Sequence, residues 1–159
     1  MQRWLPSNPK PAATPTVRAF RASDQAAART LIEDGLGEHF GFIDPDANAD
    51  LIDIAATYAK PRAAFFVAEV DGMIVGTTGV LVERGTVRMV RVGVDRKHRR
   101  SGVASALLKK AIAFASAVGA REIVAHTQPE WPDATKFYES HGFTPYGRDE
   151  IDVHLRRRI

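Results

Sequence analysis

Between residues 86 and 118 the apolar period of this chain changes from two to three-and-four, and few architectures allow that change. Val90, Val92 and Val94 alternate, as in a strand running Thr86 to Val94 with one face buried. Val103, Leu107, Leu108, Ala111, Ile112, Ala115 and Val118 then mark one face of a helix that Gly119 stops. The connection is His98-Arg99-Arg100-Ser101-Gly102-Val103-Ala104. A strand that enters a helix N-terminus through a short basic turn makes a seat for an anion. The first N–H groups of the helix have no internal partner and carry the positive end of its dipole. Gly102 lets a phosphate approach the main chain, and Ala104 keeps the next turn nearly bare. The three spaced glycines of a dinucleotide fold and the Gly-Lys-Ser/Thr of a Walker loop are both absent. On these residues alone, a phosphate cradle and a solvated basic loop capping a core helix both stay open.

Charge is laid out unevenly beneath a net of +3. From Arg84 to Lys110 the only acid is Asp95, against Arg84, Arg88, Arg91, Arg96, Lys97, Arg99, Arg100, Lys109 and Lys110. Such a stretch suits a partner carrying several phosphates. A nucleic acid is one such partner, but the helix after Gly102 is mostly Ala, Leu and Val and offers no recognition face, so none is expected. Arg156-Arg157-Arg158 reads as a solvated tail. Between Thr30 and Ala59 the balance reverses, with Glu33, Asp34, Glu38, Asp44, Asp46, Asp50 and Asp53 and no Lys or Arg. That acidic stretch is either a site welcoming a cationic amine or a solvent face plugged by Phe40, Phe42 and Ile43.

The 159 residues fit one domain, expected over 16–159 behind a flexible Pro-rich arm at 1–15. No apolar run approaches the ~20 residues of a membrane span, and no secretory pattern opens the chain, so a cytoplasmic protein without membrane contact is expected. The absence of cysteine removes disulfides, thiolate metal sites and a cysteine nucleophile, and no metal is expected. Strands are expected at Thr16–Arg21, Ala63–Val70, Met73–Val82, Thr86–Val94, Glu122–Thr127, Phe143–Tyr146 and Ile151–Leu155. Asp71-Gly72 and Arg84-Gly85 mark hairpin turns. Helices are expected from Asp24 to a stop at Gly35, through Leu51, Ile54, Ala55 and Tyr58 to a stop before Pro61, over the Val103–Val118 pattern, and from Asp133 to His141, closed by Gly142.

Arg99-x-x-Gly102-x-Ala104 resembles the acetyl-CoA signature of the GNAT superfamily of N-acetyltransferases. So does Ala134-Thr135-Lys136-Phe137-Tyr138-Glu139-Ser140-His141-Gly142-Phe143, which matches the family's second segment at about the usual distance, some thirty residues on. The chain departs from the pattern at Arg96, where the family often has proline. The resemblance implies an α/β (α+β) GNAT fold, a mixed and mostly antiparallel sheet of about seven strands with helices on both faces. It also implies acetyl transfer from acetyl-CoA to a primary amine, of a small molecule or peptide, by direct attack in a ternary complex. Edge pairing of the sheet into a homodimer is compatible with it. A non-catalytic acyl-CoA-binding sensor or interaction module is the alternative.

By the resemblance, Val92, Gly93 and Val94 face the pantetheine and thioester from a splayed strand. Gly93 is consistent with a bulge there. Arg99, Arg100, Ser101, Gly102, Val103, Ala104 and Ser105 hold the diphosphate, and Tyr138 is the general acid for the departing sulfur. The base is open among Glu83, His126 and Asp44. Glu38, His39, Phe42 and Asp44 fall where the family places acceptor-binding loops.

Overall fold

The computed structural model describes residues 14–41, 44, 46–129 and 131–159, apart from the side chain of His39. Most of the Pro-rich arm, and Phe42, lie outside the described residues. Seven strands form one sheet in the order β1-β2-β3-β4-β5-β7-β6. They are β1 (Thr16–Ala19), β2 (Ala63–Val70), β3 (Met73–Glu83), β4 (Thr86–Val94), β5 (Glu122–Thr127), β6 (Thr144–Arg148) and β7 (Val153–Arg158). All neighbours are antiparallel except β4 and β5. Four α-helices cover it: α1 (Gln25–Phe40), α2 (Ile54–Tyr58), α3 (Val103–Ala117) and α4 (Pro132–Ser140).

The period of two along the strands sorts their side chains to two cores. Phe65 and Val67 point toward α1 and α2 and pack with Ala28, Ile32, Leu51, Ile54 and Tyr58. Phe66, Val80, Val87, Met89, Ile123 and Ala125 point the other way and pack with Leu108 and Ala111 of α3 and Tyr138 of α4. A third cluster seats the first turns of α3: Val103 and Leu107 lie on Ala68 and Val75. Gly76 makes that seat possible, because a Cβ there would stand 2.7 Å from a Val103 methyl and 2.9 Å from one of Leu107.

Three sequence expectations are corrected here. Helix α1 does not stop at Gly35. It continues through Gly37 to Phe40 and ends on Gly41, whose φ is 74°. Each interior glycine costs about 1 kcal/mol relative to alanine, and packing of Ile32 and Leu36 against the sheet offsets it. Arg156, Arg157 and Arg158 are not a solvated tail: they are the C-terminal half of β7, paired with Val124, Ile123 and Glu122. The first strand ends at Ala19 rather than Arg21, as the chain turns into α1 through a short 3-10 turn. Both hairpin turns stand where expected, with positive φ at Asp71, Gly72, Arg84 and Gly85.

Candidate active site

Strand β4 is irregular where the sequence places chemistry. Its register against β3 slips between the Thr77–Gly93 and Gly79–Val90 pairs, so β4 carries one extra residue there. Arg91, not Gly93, adopts the left-handed conformation, with φ 52°. The guanidinium of Arg91 pins the bulge by donating to Asp50 (2.9 Å) and Asn48 (2.8 Å), and the Thr77 hydroxyl donates to the Arg91 carbonyl (2.9 Å). Gly93 instead leaves room for Leu31 of α1, which a Cβ would meet at 3.0 Å.

On its other edge, β4 pairs with β5 only from Thr86–Glu122 to Met89–Ala125. From Val90 onward no strand among the described residues lies against that edge. The two parallel strands therefore part immediately before the basic turn.

The turn leads through a 3-10 turn at Arg96–His98 to Gly102, the N-cap of α3. Arg100 and Gly102 have φ 60° and 87°, which bends the backbone into a concave run. Within it, the amides of Arg100 to Ser105 donate to no backbone acceptor, and no side chain caps α3. Gly102 is required here by its positive φ; a Cβ on it would meet nothing within 4 Å. Unpartnered N–H groups, a helix N-terminus and open space together fit a diphosphate.

Tyr138 lies on the α3/α4 face, wedged between Phe137 and Phe143 at ring-centroid distances of 5.3 and 5.2 Å. Burial pushes its phenol up to about 12, and its hydroxyl has no hydrogen-bond partner among the described residues. Ser105, in the first turn of α3, contacts His141 at the end of α4 (3.1 Å), which ties the two helix ends together.

On the opposite face, α1 and α2 cover β2 to β4 and leave β5, β7 and β6 bare. A broad open groove of about 960 Å³ runs there, lined among others by Glu83, Arg88, His126, Tyr146 and His154. His126 is the first residue of β5 beyond the paired segment and stacks on His154 at 4.0 Å. Desolvation, then His154 and Arg88, hold its imidazole below the usual 6.5. Glu83 sits at the far, hairpin end of the groove and accepts from Arg88 at 2.9 Å. Because β5 alternates, Ala125 packs toward Tyr138 while His126 faces the groove. Tyr138 and His126 thus flank the parting of β4 and β5 from opposite faces of the sheet.

The model of the acetyltransferase (GNAT) family matches residues 25–143, which hold all of these elements except β1, β6 and β7. The chain belongs to the GNAT acetyltransferase family. It is 33% identical over 122 residues to human N-acetyltransferase 8, a match covering 72% of this chain and 54% of that protein. It is 35% identical over 106 residues to human N-acetylaspartate synthetase, covering 65% of this chain and 35% of that protein. The chain spans about half the length of the N-acetyltransferase 8 relatives it matches. Its fold is that of PaiA N-acetyltransferase from Thermoplasma acidophilum, solved with coenzyme A: TM-score 0.77 at 12% identity, over 92% of this chain and 99% of that one.

The GNAT signature residues Arg99 to Ser105 form the end of the basic turn and the first residues of α3, and the Arg99 side chain is not free. Its guanidinium donates twice to Glu38 (2.8 and 2.9 Å), and Arg96 joins the same carboxylate at 3.1 Å. Arg99 first and Arg96 second hold the Glu38 carboxyl down at about 2. Glu38 belongs to the last turn of α1 and tethers that helix to the turn. Asp44 accepts from the Asp46 amide at 3.0 Å and lines a smaller pocket of about 220 Å³ with Leu36, Phe40 and Asn48, apart from the groove holding Glu83 and His126. His39 lies in α1; its side chain, like Phe42, is outside the described residues. Sequence reasoning did not single out Arg88, the Asp50–Asn48–Arg91 clamp or the seat at Gly76. Gly76, a glycine inside a strand, is the local signal of the close approach at that seat.

Among the described residues, no helix is long and apolar enough to cross a membrane, and no group of three or more His, Cys, Asp or Glu is placed to hold a metal ion.

Proposed function

We infer that the domain transfers an acetyl group from acetyl-CoA to a primary amine by direct attack in a ternary complex. The observation that carries this reading is the parting of β4 from β5 after Met89–Ala125, directly before a helix N-terminus with unpartnered amides. Family membership and relatives named as N-acetyltransferases support it.

Acetyl-CoA supplies the acetyl group as an activated thioester. The amides of Arg100 to Ser105 hold its diphosphate, helped by the exposed Arg100 side chain. The unpaired edge of β4 beyond Met89 presents main-chain amides, Val92 and Val94 among them, to the developing charge on a carbonyl oxygen, and the Arg91 clamp keeps that edge rigid. From the groove side, His126 accepts the proton of the attacking amine, because its lowered pKa keeps the imidazole neutral at pH 7. From the other side, Tyr138 donates to the departing sulfur. A phenol near 12 is a weaker acid than a thiol near ~8.5. Tyr138 therefore steadies the thiolate by a hydrogen bond and keeps its own proton, and the sulfur is protonated through solvent.

Calorimetry with coenzyme A and a thiol-release assay across a panel of amines test the reading. Binding with initial-rate lines that intersect is expected. Absence of coenzyme A binding, or parallel lines, would overturn it.

A further inference from the structure

Resting on the acetyl-transfer reading, we propose that the acceptor is a small amine bearing a carboxylate, as in an amino acid, and that Arg88 is the residue that binds this carboxylate. The groove through which an amine reaches His126 is basic. Arg62, Arg84 and Arg88 line it against two carboxylates, Glu83 and Glu122. Both carboxylates are engaged: Glu83 accepts from Arg88, and Glu122 accepts from Thr86 at 3.3 Å and faces Arg158 across the β5–β7 ladder. Arg156 adds a further charge beside the groove, 5.0 Å above the Tyr146 ring. A cationic acceptor would meet this array with repulsion; a carboxylate would be drawn in.

Three of the acids that gave the sequence an apparent welcome for cations are engaged by arginines. Glu38 is held by Arg99 and Arg96, Asp50 by Arg91, and Glu33 by Arg29.

Arg88 stands apart from the other arginines of the groove. Its Nε is buried and has no hydrogen-bond partner in the structure. Of its donors, only one terminal nitrogen is engaged, by Glu83. A guanidinium has a planar fork suited to a carboxylate, and the Arg88 side chain, 33% exposed, keeps a terminal nitrogen unengaged at the groove.

Position gives the orientation of the ligand. Arg88 lies opposite Val124 in the β4–β5 ladder, and His126 is two residues further along the same face. An acceptor whose amine lies beside His126 therefore directs its carboxylate along the groove toward the hairpin end, where Arg88 stands.

The test compares L-aspartate, L-glutamate and L-alanine with alaninamide and putrescine in the thiol-release assay, for the wild-type chain and for Arg88→Gln and Arg88→Lys. The carboxylate-bearing acceptors are expected to exceed alaninamide at least tenfold in kcat/KM. Compared at about pH 8.5, where the imidazole of His126 is neutral with or without the Arg88 charge, Arg88→Gln is expected to raise their KM about tenfold, to affect alaninamide far less and to leave the coenzyme A Kd within twofold, and Arg88→Lys is expected to restore part of the loss. Equal use of alanine and its amide, a preference for putrescine, or a loss in Arg88→Gln shared by all acceptors would overturn the inference while leaving acetyl transfer standing. Calorimetric titration of N-acetyl-L-aspartate in the presence of coenzyme A reads the same site without turnover, with binding expected for the wild-type chain and none for Arg88→Gln. No heat with the wild-type chain also counts against it. Absence of thiol release with every amine would sink the acetyl-transfer reading instead. Should Arg88→Gln fail to fold, the wild-type acceptor series still decides.

Discussion

Arg88 and Arg91 leave the same strand three residues apart and meet opposite environments. The Arg91 guanidinium is gripped by Asp50 and Asn48, and its backbone is held at φ 52°, a conformation costing an L-residue about 1–2 kcal/mol. Arg88 has one partner, Glu83, and keeps a terminal nitrogen unengaged at an open groove. A side chain whose donors are satisfied within the protein holds the backbone still. One whose donors are left over is prepared for something that arrives. β4 thus divides into a rigid end, where the bulge aims its amides, and a receptive end, where the groove begins.

The largest break expected in this division is at the rigid end. Asp50→Ala strands the Arg91 charge, and breaking such a pair costs about 3 kcal/mol, the low end for buried pairs because both side chains keep some exposure. A melting temperature lowered by roughly 6–12 °C is the expected outcome in thermal denaturation. An unchanged melt would show that Arg91 is no anchor. Next comes Tyr138→Phe, which removes one hydrogen bond to a charged sulfur worth about 2 kcal/mol, or roughly thirtyfold in kcat, with the coenzyme A Kd unaffected. Because the phenol lies near 12, wild-type and variant rates should run parallel between pH 6 and 10; a limb in that range lost in the variant would contradict the hydrogen-bond role.

A smaller effect, about fivefold in kcat/KM, is expected for His126→Gln at pH 7. The wild-type profile should fall as pH drops through a value below 6.5, where the imidazole becomes protonated and stops accepting, and the variant should lose that limb. The smallest concerns Glu38→Gln. It releases Arg96 and Arg99 toward the diphosphate and should tighten coenzyme A binding about threefold at low salt, as expected for exposed ion pairs, with the gain fading as salt rises. Acidification cannot substitute for the mutation, since the Glu38 carboxyl stays ionised down to about pH 2.

The rigid and receptive ends also differ in how far the sequence discloses them. The strand, turn and helix around Gly102 are contiguous, so period and composition mark them directly, and α4 with Tyr138 carries its own segment. The groove has no such stretch: Arg62, Arg88, His126, Tyr146 and His154 come from separate elements and meet only through the β2–β3–β4–β5–β7–β6 order. The same holds for Arg91, which needs a partner 41 residues away to justify its backbone. Gly35 misleads for a related reason. As a local signal it stops a helix, whereas burial of Ile32 and Leu36 and the tether from Glu38 to the basic turn carry α1 on to Phe40. Arg156 to Arg158 look like an unstructured end until β5 supplies the ladder beside them.

The seat of α3 on Gly76 means that the elevation of the anion-holding amides above the sheet is fixed by a single hydrogen atom on the strand beneath. A methyl in its place would lift the first turn of the helix by way of Val103 and Leu107. The strand next to β4 therefore sets the altitude of a binding surface it never touches, and a change of one carbon in the floor would be felt at the roof.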